Sequence, residues 1–261
     1  MAKVLEGFPP LYYLNLKRRK DRDEHMKKLI KTYKLNGTRV EAVDGTVVGS
    51  YDNLVEATPP YLKDVQIACT ISHLQTIRHW LLNSDTETAV ICEDDVSFEH
   101  VEQWGVNWKE IESAFPHYWD IIQMCVIFHP NQDIIFNLHH RTMYDYSAAC
   151  YMVNRRYAKK LMDLYWNDAA QCWRLHVVVP FPLTSEEAVY RPGSCLTIPL
   201  FTFTGSMGSD IQNKDHLEHF HTFSKMLHKH LWQQIKAPQL LNMWPLQLFQ
   251  AASKNGPTSQ F

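Results

Sequence analysis

Apolar and polar positions change period repeatedly along this chain, and the changes predict alternating strands and helices. Leu11 to Leu16 is a short apolar-rich run that reads as a strand and passes into a basic turn, Lys17 to Lys20. From Asp21 the spacing becomes helical, through Met26, Leu29, Ile30 and Tyr33. Asp21 and Asp23 sit at the end of that helix where negative charge complements the dipole. Asn36-Gly37 ends it, Thr38 to Val43 reads as a second strand, and Asp44-Gly45 makes a turn. After a loop through Thr58-Pro59-Pro60, the spacing predicts a helix over Val65 to Leu82, with Ile67, Ile71, Leu74 and Ile77 apolar. Strands follow at Thr88 to Val96, Trp119 to Phe128 and, briefly, Tyr151 to Val153. Arg156 to Tyr165 and Thr222 to Ile235 carry helical spacing again.

This alternation argues for an α/β domain with a mainly parallel sheet covered by helices on both faces. In such sheets ligands bind beyond the carboxyl ends of the strands. At 261 residues, the chain suits a single domain over 1–261, with residues 11–125 and 126–235 as its two halves and 236–261 as a C-terminal segment. The formal net charge of −2 gives no basis for bulk nucleic-acid binding. The six cysteines form no C-x-x-C pair, and several lie in apolar runs, so they read as reduced core thiols. No signal peptide is evident and no apolar stretch reaches the ~18 residues of a membrane span, so a cytoplasmic protein is expected.

The strongest candidate for chemistry is Glu93-Asp94-Asp95, at the end of the apolar run Ala89 to Cys92. Strand alternation sends Glu93 and Asp95 to one side and Asp94 to the other. Two hard carboxylates on one side suit Mn²⁺ or Mg²⁺ and hence a diphosphate; a solvated acidic turn is the plain alternative. The basic cluster Arg18, Arg19 and Arg22, beside Asn15 and Leu16, reads as a solvated turn or as partners for such a diphosphate. His73 is either a satisfied helix residue or a site residue, and its neighbour Ser72 cannot form a nucleophile–base pair with it. Glu186 and Glu187 could supply a general base, or could be the first turn of a helix capped by Thr184 or Ser185. The late histidines, His219 and His221 among them, match no familiar zinc spacing, although one of them could complete a Mn²⁺ shell.

Five segments in order resemble glycosyltransferase family 25, over roughly residues 11 to 210. They are Tyr13-Leu14-Asn15-Leu16 with Arg18-Arg19 and Asp21-Arg22; Arg39 to Gly45; Ile67 to His73; Cys92 to Val96; and Ala149 to Val153 with Ala158 to Leu161. The chain departs from the family at Val65-Gln66, at Ala68, and at Thr184 to Glu187, where a V-D pair is usual. The resemblance implies a GT-A fold and inverting transfer of a hexose, most often galactose, from a UDP-sugar to a glycan, glycoprotein or lipid-linked saccharide. It places Asn15, Leu16, Arg18, Arg19, Arg22, Asp44, Ser72, His73 and Asp94 around the donor. It puts Glu93 and Asp95 on the metal, with Asp210, His219 or His221 as a further ligand, and Glu186 or Glu187 as the base. Two other readings are a catalytically silent binding module of the same fold and a different metal-dependent nucleotide-processing enzyme.

Overall fold

Strand β1 (Leu11–Leu16) is buried on both sides, and successive residues feed two different cores: Leu11 and Tyr13 one, Tyr12 and Leu14 the other. A near-continuous apolar run of this kind belongs inside a sheet with both faces covered. The structure, a computed structural model, describes residues 3–58, 61–175, 184–204, 208, 217–241 and 248–249. In chain order, β1 leads to α1 (Lys20–Tyr33), β2 (Gly37–Ala42), α2 (Asp64–Asn83), β3 (Thr88–Glu93), β4 (Val96–Ser97), α3 (Trp108–Ser113) and β5 (Ile121–Cys125). Then come β6 (Ile134–Ile135), β7 (His139–His140), β8 (Cys150–Asn154), α4 (Arg155–Tyr165), β9 (Trp166–Asn167) and β10 (Cys172–Trp173). The remainder is α5 (Ser185–Tyr190), β11 (Cys195–Phe203), a π-helical turn Leu217–His221, α6 (Thr222–Gln234), α7 (Ala237–Leu240) and β12 (Leu248–Phe249).

The central sheet has the order β2-β1-β3-β8-β5-β11-β4, with β7 also on β11. β1 is parallel to β2 and β3, and β5 is parallel to β11. Between these groups β8 runs antiparallel to both neighbours. The sheet is therefore mixed and mainly parallel. One face packs against α1, α3 and α6, through Met26, Leu29, Trp108, Ile111, Leu231 and Trp232. The other packs against α2, α4 and α5, through Ile67, Ile71, Tyr157, Leu161 and Val189 among others. Helix ends are closed locally. Lys34 takes the left-handed conformation after α1, Asn154 accepts the Tyr157 N–H of α4, and Thr184 accepts the Glu187 N–H of α5.

Two expectations need correction, and one strand was not expected. The strand over Thr88 to Val96 stops at Glu93, and Asp94-Asp95 form a turn into β4, which pairs with β11 instead of continuing along β1. The strand over Trp119 to Phe128 is only Ile121–Cys125, because the chain leaves the ladder at Val126 to pack under α6. The long strand β11 had no counterpart in the sequence reading. Pro199 lies inside it, and the β5–β11 register shifts between Thr197 and Phe201, around that proline. All six cysteines are free thiols.

Candidate active site

The carboxyl ends of β1, β2 and β3 open into a pocket of about 600 Å³ of empty space, part of it open solvent, walled by Leu16, Arg18, Arg22, Asp44, Ser72 and the three acids. The wall is set by buried polar pairing. Arg22 donates to Asp94 at 2.6 Å and lies 3.2 Å from Asp95. Asn15 donates to Asp94 at 2.7 Å and to the Arg19 carbonyl, and receives Arg39 Nε at 2.8 Å. Burial by itself lowers the Arg22 pKa, but Asp95 and Asp94 outweigh it and hold the guanidinium firmly charged. At the rim, Arg18 Nε donates to Asp44 at 2.6 Å, and Asp44 also caps Thr46. Burial would raise the Asp44 carboxyl, but Arg18 and Thr46 pull it below its usual range. Gly45 lies against the start of α2: a Cβ there would come within 2.6 Å of Val65 Cα and of the Asp64 carbonyl oxygen.

A second pocket, enclosing about 960 Å³, opens on the other side of the same acids and shares Cys69, Glu93 and Asp95 with the first. Its far wall is Ser147, Thr184, Ser185, Glu186, Phe203 and His221. Glu186 accepts the Ser147 N–H at 2.7 Å and stands 3.5 Å from Arg141. Burial pushes the Glu186 carboxyl up, against the opposing pull of that hydrogen bond and of Arg141. Glu187 turns away to Arg191 at 3.6 Å and lines neither pocket.

Charge is concentrated where the pockets meet. Burial raises the Asp95 carboxyl to about 7; Arg22 opposes the rise, and Glu93 and Asp94 add to it. Burial raises Asp94 as well, despite Arg22. Glu93 also loses solvation, but His73, Arg22 and His221 together bring it below its usual value. The pair Glu93 and Asp95 offers hard oxygen donors with surplus negative charge, and that chemistry fits Mn²⁺ or Mg²⁺.

Of the residues singled out from sequence, Leu16, Arg18, Arg22, Asp44, Ser72, Glu93, Asp94 and Asp95 come together around the first pocket, and Glu186 and His221 face the second. Asn15 sits behind the wall as a bracket for Asp94. Arg19 forks onto Asp21 at 2.7 and 3.0 Å, outside the pocket. Ser72 bridges the Ala68 carbonyl to the Val43 N–H and so ties α2 to the β2 loop. His219 is exposed against Phe220, and Asp210 lies outside the described residues. Glu93 and Asp95 line both pockets and Asp94 only the first, while the Arg22 guanidinium reaches both Asp94 and Asp95. Among the described residues, the trio of potential metal ligands that does converge is Cys69, His73 and Glu93. Cys69 was read as core thiol; its i,i+4 spacing to His73 was the available signal.

The profile of the family described as "Glycosyltransferase family 25 (LPS biosynthesis protein)" matches residues 8–172. Human procollagen galactosyltransferase 2 is 31% identical over 152 residues, covering 45% of this chain and 24% of that protein. The mouse protein of the same name is 31% identical over 105 residues, covering 36% of this chain and 17% of that one. The chain thus spans a quarter or less of these relatives. Among solved structures, A197 from STIV superposes with a TM-score of 0.43 at 5% identity, covering 74% of this chain and 83% of the other, too distant to bear on the site. With more than half of its length matched by the family profile, the chain belongs to glycosyltransferase family 25.

Proposed function

We propose that this chain is a metal-dependent glycosyltransferase of GT-A type. It moves a hexose, galactose in the first instance, from a UDP-sugar to a hydroxyl of a glycan, glycoprotein or lipid-linked saccharide, with inversion. The observation that carries the reading is the pair of pockets meeting at Glu93 and Asp95, one with arginines at its wall and rim, the other with the half-buried carboxylate of Glu186.

In this reading the first pocket takes the nucleotide sugar. Glu93 and Asp95 would hold the Mn²⁺ or Mg²⁺, which when bound would draw off charge from the departing diphosphate. Arg18 can exchange Asp44 for a phosphate oxygen, a charge-assisted bond of the same kind. Arg22 stays on Asp94 and Asp95 and fixes where those carboxylates point. The acceptor enters the second pocket, and Glu186 takes the proton from its hydroxyl as the new glycosidic bond forms and the bond to UDP breaks. The Ser147 N–H and Arg141 keep the Glu186 carboxylate oriented for that role. A single displacement with the base opposite the leaving group inverts the anomeric carbon.

The test is a screen of UDP-hexoses against the purified chain, with and without Mn²⁺, reading UDP release and product mass. Cation-dependent release of UDP from one sugar supports the reading. Tight UDP binding without turnover would leave only a binding module. Release of nucleoside monophosphate or phosphate points to other nucleotide chemistry and sinks the proposal.

A further inference from the structure

The junction of the two pockets holds a cluster of which the proposed transfer uses only Glu93. Cys69 and His73 lie one turn apart on α2, and Glu93 ends β3 opposite them. A sulfur, an imidazole nitrogen and a carboxylate oxygen from these residues all fall within 4.8 Å of one another. His73 is fully buried, yet its Nε2 makes no hydrogen bond. That atom stands 3.5 Å from Glu93 Oε1. Tetrahedral zinc, with bonds of about 2.0–2.3 Å, separates its ligand atoms by roughly 3.3–3.8 Å. The spacing fits two groups that share a cation.

The other imidazole nitrogen, Nδ1, is 3.1 Å from the Tyr151 hydroxyl, and the two rings stack at 5.7 Å. A hydrogen on Nδ1 donated to that hydroxyl leaves the Nε2 lone pair aimed at Cys69 and Glu93. Outer partners of this kind fix the ring and tautomer of metal-binding histidines. We propose that Cys69, His73 and Glu93 form a three-residue site for a thiophilic divalent cation, Zn²⁺ by the chemistry of its ligands. One sulfur, one nitrogen and one oxygen select zinc or cobalt over Mg²⁺ and Mn²⁺. The site therefore differs in kind from the all-oxygen pair Glu93 and Asp95. Binding converts the Cys69 thiol to a metal thiolate and releases its proton to solvent. Three protein ligands leave a fourth position, and because Cys69 and Glu93 line both pockets, that position faces the cleft. Glu93 belongs to both cation positions, so zinc competes for it and inhibits Mn²⁺-supported turnover.

The site stands independently of the transfer reaction and is tested with metal alone. The metal-stripped full chain is titrated with Co²⁺, following the thiolate-to-cobalt charge-transfer band and the visible bands of tetrahedral cobalt. One equivalent giving both, displaced by Zn²⁺, is the expected result. Cys69→Ser should abolish the charge-transfer band and weaken Zn²⁺ by more than the roughly 10–100-fold that loss of an outer partner costs. Cys172→Ser should keep the band. Zinc-edge X-ray absorption of the wild-type chain should contain one sulfur scatterer, a readout that needs no variant to fold. No band, a band that survives Cys69→Ser, or a zinc shell without sulfur overturns the site. If the cobalt bands appear but no UDP-sugar is turned over, the functional reading alone fails; Mn²⁺-dependent turnover without the bands fails only this site.

Discussion

The pocket beneath β1, β2 and β3 and the pocket beside Glu186 are assembled in different ways. The first is built by strand ends and the turns and helices that follow them, and its inner charges are locked in place, Arg22 and Asn15 both on Asp94, with Arg18 on Asp44 at the exposed rim. The second is drawn from a loop, a short helix and the end of β11, far apart in the chain, through Ser147, Glu186 and Phe203. Its key carboxylate is held by one backbone N–H and an arginine at 3.5 Å. Locked charges make a rigid recognition wall, whereas a carboxylate with its pKa raised by burial is suited to moving a proton.

Four perturbations sharpen that contrast, and we take them from the largest expected effect downward. Glu186→Gln should cut turnover by about 10²–10⁴-fold while leaving UDP affinity and unfolding midpoint unchanged, whereas Glu187→Gln should do little. Equal losses in both variants, from steady-state rates, would remove Glu186 from its role. Arg22→Ala strips the guanidinium from buried Asp94 and half-buried Asp95 and should cost about 3–5 kcal/mol in urea unfolding, with part recovered on adding Mn²⁺. A loss below about 1 kcal/mol, the scale of an exposed pair, would mean the wall is not locked by this arginine.

Gly45→Ala forces the loop away from Val65 and should cost about 1–3 kcal/mol. Its signature is weaker UDP binding by calorimetry with little change in acceptor affinity; the opposite pattern would assign the loop to the second pocket. The last perturbation is acid, whose effect is smallest close to neutrality. His228 is buried beside His100, donates Nε2–H to the Val126 carbonyl, and is held down to about 3 by burial, from 6.5. Burial also lowers His100. Below 6.5 the unfolded chain binds protons that the folded chain refuses. Stability is therefore full above about 6.5 and falls as pH drops toward 3, by about 1.4 kcal/mol per pH unit for His228. His228→Phe should flatten that slope in pH-dependent melting.

The same contrast explains what could be read from the sequence. Each first-pocket motif includes the strand or helix that aims it, so Arg18, Arg22, Asp44 and the acids could be named from local pattern. The reach of Arg22 across 72 residues to Asp94 could not, because a local pattern says nothing of a partner on a distant element. Glu186 and Glu187 looked alike in sequence; the one-residue rotation of α5 separates them, one toward Ser147, the other toward Arg191. β11 was missed because Pro199 breaks the pattern that marks a strand. Cys69 was passed over because a lone thiol in an apolar helix looks like core, and its partner Glu93 lies on another element.

The party wall of Cys69, Glu93 and Asp95 has a thermodynamic corollary. Whatever neutralises its charge from one chamber alters the potential felt in the other, so the two occupants cannot bind independently. Linkage makes that influence mutual: a ligand that tightens its neighbour is tightened by the same factor.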